Sequence, residues 1–299
     1  MSRVILMVGA PFSGCSLLAQ MLGSHPHCAA APELKLGLAD TVDALLELAE
    51  VSQVPLLDGL LRFVAEHVTG GQHRDGIKAA FAWLGERRAQ STAELLASLQ
   101  AAVAPRHLVI PDGESALRPN ELLRWQRLAP ELAVIHCLRH PLMHGAVWAP
   151  WLKAQLYVPP DFRDHSVSPA SALIEPQLPW LRCAGNLERW VPEAKRIRLR
   201  MEDLDVAAED TLGDLCRSLD LPCDPNILSS MWDSTASPFA GWGPPEAPGG
   251  LEMDALAAVT EQALPIALPP QLDAPAPWHE DGRPLDPGVV ALARQYGYV

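Results

Sequence analysis

Apolar residues arrive along this chain in two rhythms. Short runs bounded by Gly, Pro or charged residues predict buried strands at Val4–Val8, "HLVIPD" from His107, "LAVIHCL" from Leu132 and "RIRLRM" from Arg196. Stretches with apolar positions every three or four residues predict helices at "SLLAQMLGSHP", "PNELLRWQRLAP", "PLMHGAVWAPWL", "AEDTLGDLCRSLDL" and "GVVALARQYGY". The first of these stops at Gly23 and Pro26, and the third carries proline in its first turn, where a missing N–H costs nothing. Strands separated by helices predict an α/β fold, a parallel sheet flanked by helices on both faces. From about 40 to 104 the rhythm is helical throughout, with a capping box at Ser91 and Glu94, and predicts a helical insertion. From about 235 to 284 Pro and Gly dominate; Trp232, Phe239, Trp242 and Trp278 are expected to anchor this segment as an irregular cover.

Composition narrows the picture. With 299 residues and 48% hydrophobic content, the chain is expected to form a single domain, 1–299, with no internal repeat. A net charge of -13 argues against a nucleic-acid surface, which needs a basic face. The six cysteines show no C-x-x-C pair or ligand spacing, so neither a disulfide framework nor a metal site is expected, and a reducing, cytoplasmic setting fits. Arg3, the apolar run behind it and "AAAP" near Ala29 imitate a signal peptide, but Gly9, Pro11, Ser13 and Gly14 interrupt the apolar stretch. No other segment approaches the roughly 20 apolar residues of a membrane span. The expected partner is therefore a small molecule, free or bound to a carrier protein, rather than nucleic acid or membrane.

Between the first strand and the first helix, Gly9 to Ser16 reads "GAPFSGCS" and fits G-x-x-x-x-G-x-S, with Cys15 where a nucleotide triphosphatase carries lysine. Successive amides in such a loop and the helix N-terminus behind it attract an anion with no side-chain charge. An ordinary tight turn uses the same residues.

Three segments in order, "GAPFSGCSLLAQMLGSHP" with "PEL", "AVIHCLRHPLMHGAVW" and "RLRMEDLDVAAEDTLGDLCRSLDLPCDP", resemble the sulfotransferases that use 3'-phosphoadenosine 5'-phosphosulfate. The resemblance extends through nearly the whole chain, and is most like the bacterial branch found with thiotemplate natural-product pathways. It implies a P-loop-like sheet whose loop (Gly9, Ser13, Gly14, Cys15, Ser16) holds the sulfate-side phosphate, with Arg139 holding the 3'-phosphate. The implied reaction is sulfuryl transfer to a hydroxyl of a small or carrier-bound natural-product intermediate. Three positions depart from the family: Phe12 stands where it has a cation, Val147 where it has a serine, and Gly113 where many relatives have lysine. A missing transition-state cation is expected to cost about 100- to 1000-fold in rate, by analogy with an oxyanion-hole donor. A missing serine costs about 1–3 kcal/mol of binding. Two alternatives follow from these losses: the fold acts on an acyl or thioester intermediate without sulfuryl transfer, or it binds without catalysis.

The candidate reactive groups each have a plain structural reading beside the functional one. Glu33, in "APEL", is placed by the resemblance where some relatives have a base, and is equally a helix-entry carboxylate. Cys15, at a helix N-terminus, is expected to be a nucleophile with lowered pKa or else a small packing residue in place of threonine. His140 and His144, one helical turn apart, are candidate bases, along with His25, His27 and His136; as a pair they also have metal-ligand spacing, without a third ligand. Arg196, Arg198 and Arg200 share a strand face and are expected to be paired.

Overall fold

The structure is a computed structural model that describes residues 2–52, 54–154, 174–232, 237–251 and 271–299. Five parallel strands form one sheet in the order β2-β3-β1-β4-β5. They are β1 (Val4–Gly9), β2 (Cys28–Ala30), β3 (His107–Asp112), β4 (Ala133–Leu138) and β5 (Arg196–Arg200). β1 is central and buried along its whole length, as its unbroken apolar run requires. The four strands expected from the sequence are all present; β2 is an addition. It is "CAA", overlapping the start of the "AAAP" segment, three buried residues paired to β3 and too short to show a period of two.

Apolar side chains fill both faces of the sheet. On one side α1 (Cys15–Gly23) packs in a cluster that holds Ile5, Met7, Leu18, Leu22 and Ile135, with Leu212, Leu215 and Met231 from the C-terminal half. The opposite face meets the helical insertion, α2 (Val42–Val51), α3 (Asp58–Val64), α4 (Arg74–Gly85) and α5 (Thr92–Val103). The capping box forms as expected, with Ser91 and Glu94 exchanging backbone and side-chain hydrogen bonds ahead of α5. α6 (Pro119–Leu128) and α7 (Pro141–Lys153) follow β3 and β4. α8 (Gln177–Trp190) appears where the sequence pattern had suggested no element. α9 (Met201–Val206), α10 (Ala208–Ser218), α11 (Pro225–Met231) and α12 (Pro287–Gln295) complete the described helices.

The C-terminal cover departs from expectation in its anchors. Phe239 and Trp278 are buried, but Trp232 and Trp242 are 46% and 62% exposed, so those two do not fasten the segment. Polar clamps do that work instead: Arg62 on α3 donates Nη1 to the Gly249 carbonyl (2.9 Å) and Nη2 to the Gly241 carbonyl (3.0 Å). Residues 235–236 and 252–270 of the expected cover lie outside the described residues.

The topology fixes where a ligand belongs. β1 connects leftward to β2 and β3, whereas β4 connects rightward to β5, so the order reverses between β1 and β4. Crevices at the carboxyl ends of strands at such a reversal are the usual ligand sites of open α/β sheets.

Candidate active site

The loop from Ala10 to Gly14 leaves β1 at that reversal. Ser13 N–H donates to the Ala10 carbonyl at 3.0 Å, which closes a tight turn. Phe12 and Gly14 both take left-handed backbone angles, φ 66 and φ 84. Position 14 favours glycine for its left-handed angle; the 2.7 Å that a Cβ would leave to Met201 Cε is relieved by a shift of that flexible side-chain end. Left-handed residues between right-handed ones turn successive amides to one side, the backbone geometry of an anion nest.

Two side chains from the end of β4 and the start of α7 hold the loop in this shape. Arg139 donates Nη1 to the Phe12 carbonyl at 2.6 Å, and His144 Nε2 lies 2.7 Å from the Pro11 carbonyl. Trp180 on α8 donates its indole N–H to the Arg139 carbonyl. His140 caps α7 by accepting from Leu142 N–H at Nδ1, and its own N–H donates to Glu202 at 2.6 Å. The other oxygen of Glu202 accepts from Tyr298 at 3.0 Å, and the Tyr298 ring meets His140 edge-on at 5.1 Å. Burial pushes His140 down to about 4 and His144 to about 3, so both imidazoles are neutral at pH 7. With a carbonyl facing it, neutral His144 carries its proton on Nε2 and leaves Nδ1 as the basic atom.

The Phe12 ring turns away from the backbone nest and into an aromatic cluster. Trp151 and Trp148 of α7 lie 5.3 Å and 6.4 Å from it, and Val147, Leu152 and Ile174 complete the group. Phe12 and Val147, two of the positions that depart from the family pattern, therefore touch one apolar cluster. The third, Gly113, lies two strands away from β4, where its N–H donates to Glu33 Oε1 at 3.3 Å. Glu33 pairs with Lys35 (2.8 Å), which also pairs with Glu114 (3.1 Å). Burial raises the Glu33 carboxyl above its ordinary range and Lys35 opposes the rise; the carboxylates of Glu33 and Glu114 outweigh burial at Lys35 and keep it a cation.

Comparison with protein-family profiles gives no match, and no curated protein matches the chain by sequence. Solved structures do match. A sulfotransferase domain from the curacin biosynthetic pathway is 22% identical with a TM-score of 0.68, over 100% of this chain and 99% of that one. A sulfotransferase domain from the Synechococcus PCC 7002 olefin synthase is 18% identical with a TM-score of 0.66, over 100% of this chain and 97% of that one. The chain has the sulfotransferase fold.

Within the sulfotransferase fold, the expected site residues divide into three groups. The loop, Arg139, His140 and His144 meet at the β1–β4 crevice; Glu33 lies at the same carboxyl edge, on the β2–β3 side. His25 and His27 precede β2 and sit at the opposite, amino edge, and His136 is buried within β4 against Tyr296, so these three are not part of the site. Of the two readings offered for Cys15, nucleophile or packing residue, its complete burial in the cluster that also holds Leu18, Ile135 and Met201 favours packing. Arg196, Arg198 and Arg200 are paired with Glu188, Glu193 and Asp203. Among the described residues, no group of three or more His, Cys, Asp or Glu is placed to hold a metal ion, and no helix is long and apolar enough to cross a membrane. Sequence reasoning missed Lys35, Met201, Trp151 and the Glu202–Tyr298 pair. Lys35 stands two residues after Glu33 in "PELKLG", a spacing that marks a shared face only in a strand, and these residues form none; Tyr298 reaches Glu202 across 96 residues, which no local pattern signals.

Proposed function

We propose that this chain is a transferase that moves a sulfuryl group from 3'-phosphoadenosine 5'-phosphosulfate to a hydroxyl of a small or carrier-bound intermediate, with Glu33 as base. The observation that carries this reading is the left-handed turn at Phe12 and Gly14, pinned by Arg139 at the point where the strand order reverses. The residues present fit the phosphates of such a donor: the backbone of the loop supplies N–H dipoles and Arg139 supplies the cation beside it. The donor, when bound, supplies the group to be transferred. Phe12 and Trp151 offer an apolar wall to whatever enters beside the loop. Glu33 takes the acceptor proton, and its buried setting brings its pKa toward that task. The pathways named for the curacin and olefin synthase domains support an acceptor made on a biosynthetic assembly line.

The apolar cluster at Phe12 and Val147 favours a second reading, in which the fold binds its ligand, an acyl or thioester intermediate included, without sulfuryl transfer. The burial of Cys15 weighs against the covalent version of that reading. Calorimetry with 3'-phosphoadenosine 5'-phosphate separates the two. The first expects micromolar to sub-millimolar binding that Arg139→Ala weakens at least tenfold, and absence of heat at millimolar ligand would sink it in favour of the second.

A further inference from the structure

β2 and β3 end side by side, and the segments that leave them carry a charge cluster separate from the β1 loop. Glu33 Oε2 lies 2.8 Å from Lys35 Nζ, and Glu114 Oε2 lies 3.1 Å from the same nitrogen. Gly113 N–H occupies the other Glu33 oxygen at 3.3 Å, and the Glu33 backbone N–H donates to the Gly250 carbonyl at 2.9 Å. The Lys35 and Glu33 side chains are 13% and 14% exposed, low enough for a strong pair and high enough for a ligand to reach. Lys35 also holds a left-handed backbone angle, φ 54, which a side chain other than glycine adopts at a cost. Strain of this kind persists where surrounding contacts over-determine it, and it gathers at functional sites.

We propose that Lys35 is the positioning residue for Glu33: its ammonium fixes Oε2, while Gly113 N–H fixes Oε1, so that Glu33 presents a defined oxygen to the acceptor hydroxyl. In the proton step the hydroxyl O–H bond breaks and a Glu33 O–H bond forms. The proposal rests on Glu33 being the base, as argued above. The charges facing Glu33 are Lys35 on its own segment, Asp112 at the end of β3 and Glu114 after it, with Arg118 acting on Glu114; Gly59 and Gly250 meet it through backbone alone. Glu114 shares the Lys35 charge and so works against Glu33.

The test is a direct titration of the Glu33 carboxyl in the whole protein by carbon-13 NMR, assigned with Glu33→Gln, alongside the pH profile of transfer. Lys35→Met should raise the Glu33 midpoint by about 1 to 3 pH units, the usual reach of a lost opposite charge at this distance. Lys35→Arg should restore it, and Glu114→Gln should lower it below wild type. An unmoved midpoint in Lys35→Met, or a rise in Glu114→Gln, overturns the proposal. If Lys35→Met does not fold, Glu114→Gln decides alone, since that side chain is 51% exposed and tolerates exchange. A midpoint that moves while the acid limb of the rate profile stays fixed removes Glu33 as base and defeats the proposed function, leaving the Lys35–Glu33 coupling intact.

Discussion

At Phe12 the backbone turns left-handed although the side chain is large, and the Arg139 guanidinium holds the carbonyl that this turn directs toward it. The ring is thereby sent toward Trp148 and Trp151. Phe12→Arg returns a cation to the loop, and it should raise the sulfuryl-transfer rate by about 100- to 1000-fold while lowering stability by about 1–3 kcal/mol through lost ring burial. Paired rate and melting measurements check both halves; a rate that does not rise removes the missing cation as an explanation. Cys15 gives the opposite kind of prediction. Among the six cysteines Cys223 is the exposed one, so a thiol-alkylating reagent on native protein should modify Cys223 first and leave Cys15 intact by peptide mass spectrometry. Cys15→Ala should retain activity. At this scale the sequence was legible where the backbone decides, as at the left-handed Gly14, and illegible where burial decides: nothing in "SGCS" says that the Cys15 side chain is fully buried.

At the scale of elements, α3 does more than cover the sheet. Arg62, 2% exposed, donates to Gln72 at 2.7 Å and to the Gly241 and Gly249 carbonyls, while Asp58 accepts from Gly249 N–H at 2.7 Å. Burial lowers Arg62 to about 10, which leaves it charged at neutral pH. Arg62→Met leaves two half-buried carbonyls without their donor and should cost about 1–3 kcal/mol. Limited proteolysis should then cut within 237–251 under conditions where wild type resists, and equal resistance would show that the apolar anchors suffice. The strands and most helices could be read from periodicity because their burial repeats along the sequence. β2 could not, since three small residues set no period; α8 does carry the period, with Trp180, Cys183, Ala184 and Leu187 buried on one face, but Pro179 in its first turn reads locally as a break.

Taken as a whole molecule, the sheet gathers its chemistry at one edge: Glu33 after β2, Gly113 after β3, the loop after β1, Arg139 after β4 and Glu202 after β5. That ordering follows from parallel strands, which is why a sequence of alternating strands and helices points to this edge before any contact is known. The same core buries His136, His140 and His144 as neutral groups, with pKa values lowered by burial to about 3, 4 and 3. Because the unfolded chain takes up these protons near pH 6.5 and the folded one does not, stability is full above that pH and falls as pH drops toward 4. Each such histidine contributes up to about 1.4 kcal/mol per pH unit. Melting temperature should therefore decline between pH 6.5 and 4, and His136→Leu should flatten the decline; an unchanged slope would place the acid sensitivity elsewhere. Tyr298 adds a constraint of another kind. All five strands lie within the first 200 residues, yet Glu202, which fixes the backbone at His140, waits for a hydroxyl 96 residues further on. A ribosome making this protein therefore releases every described strand of the sheet well before the residue that completes the contacts around His140, and a chain stopped short of Tyr298 would carry the strands without that contact.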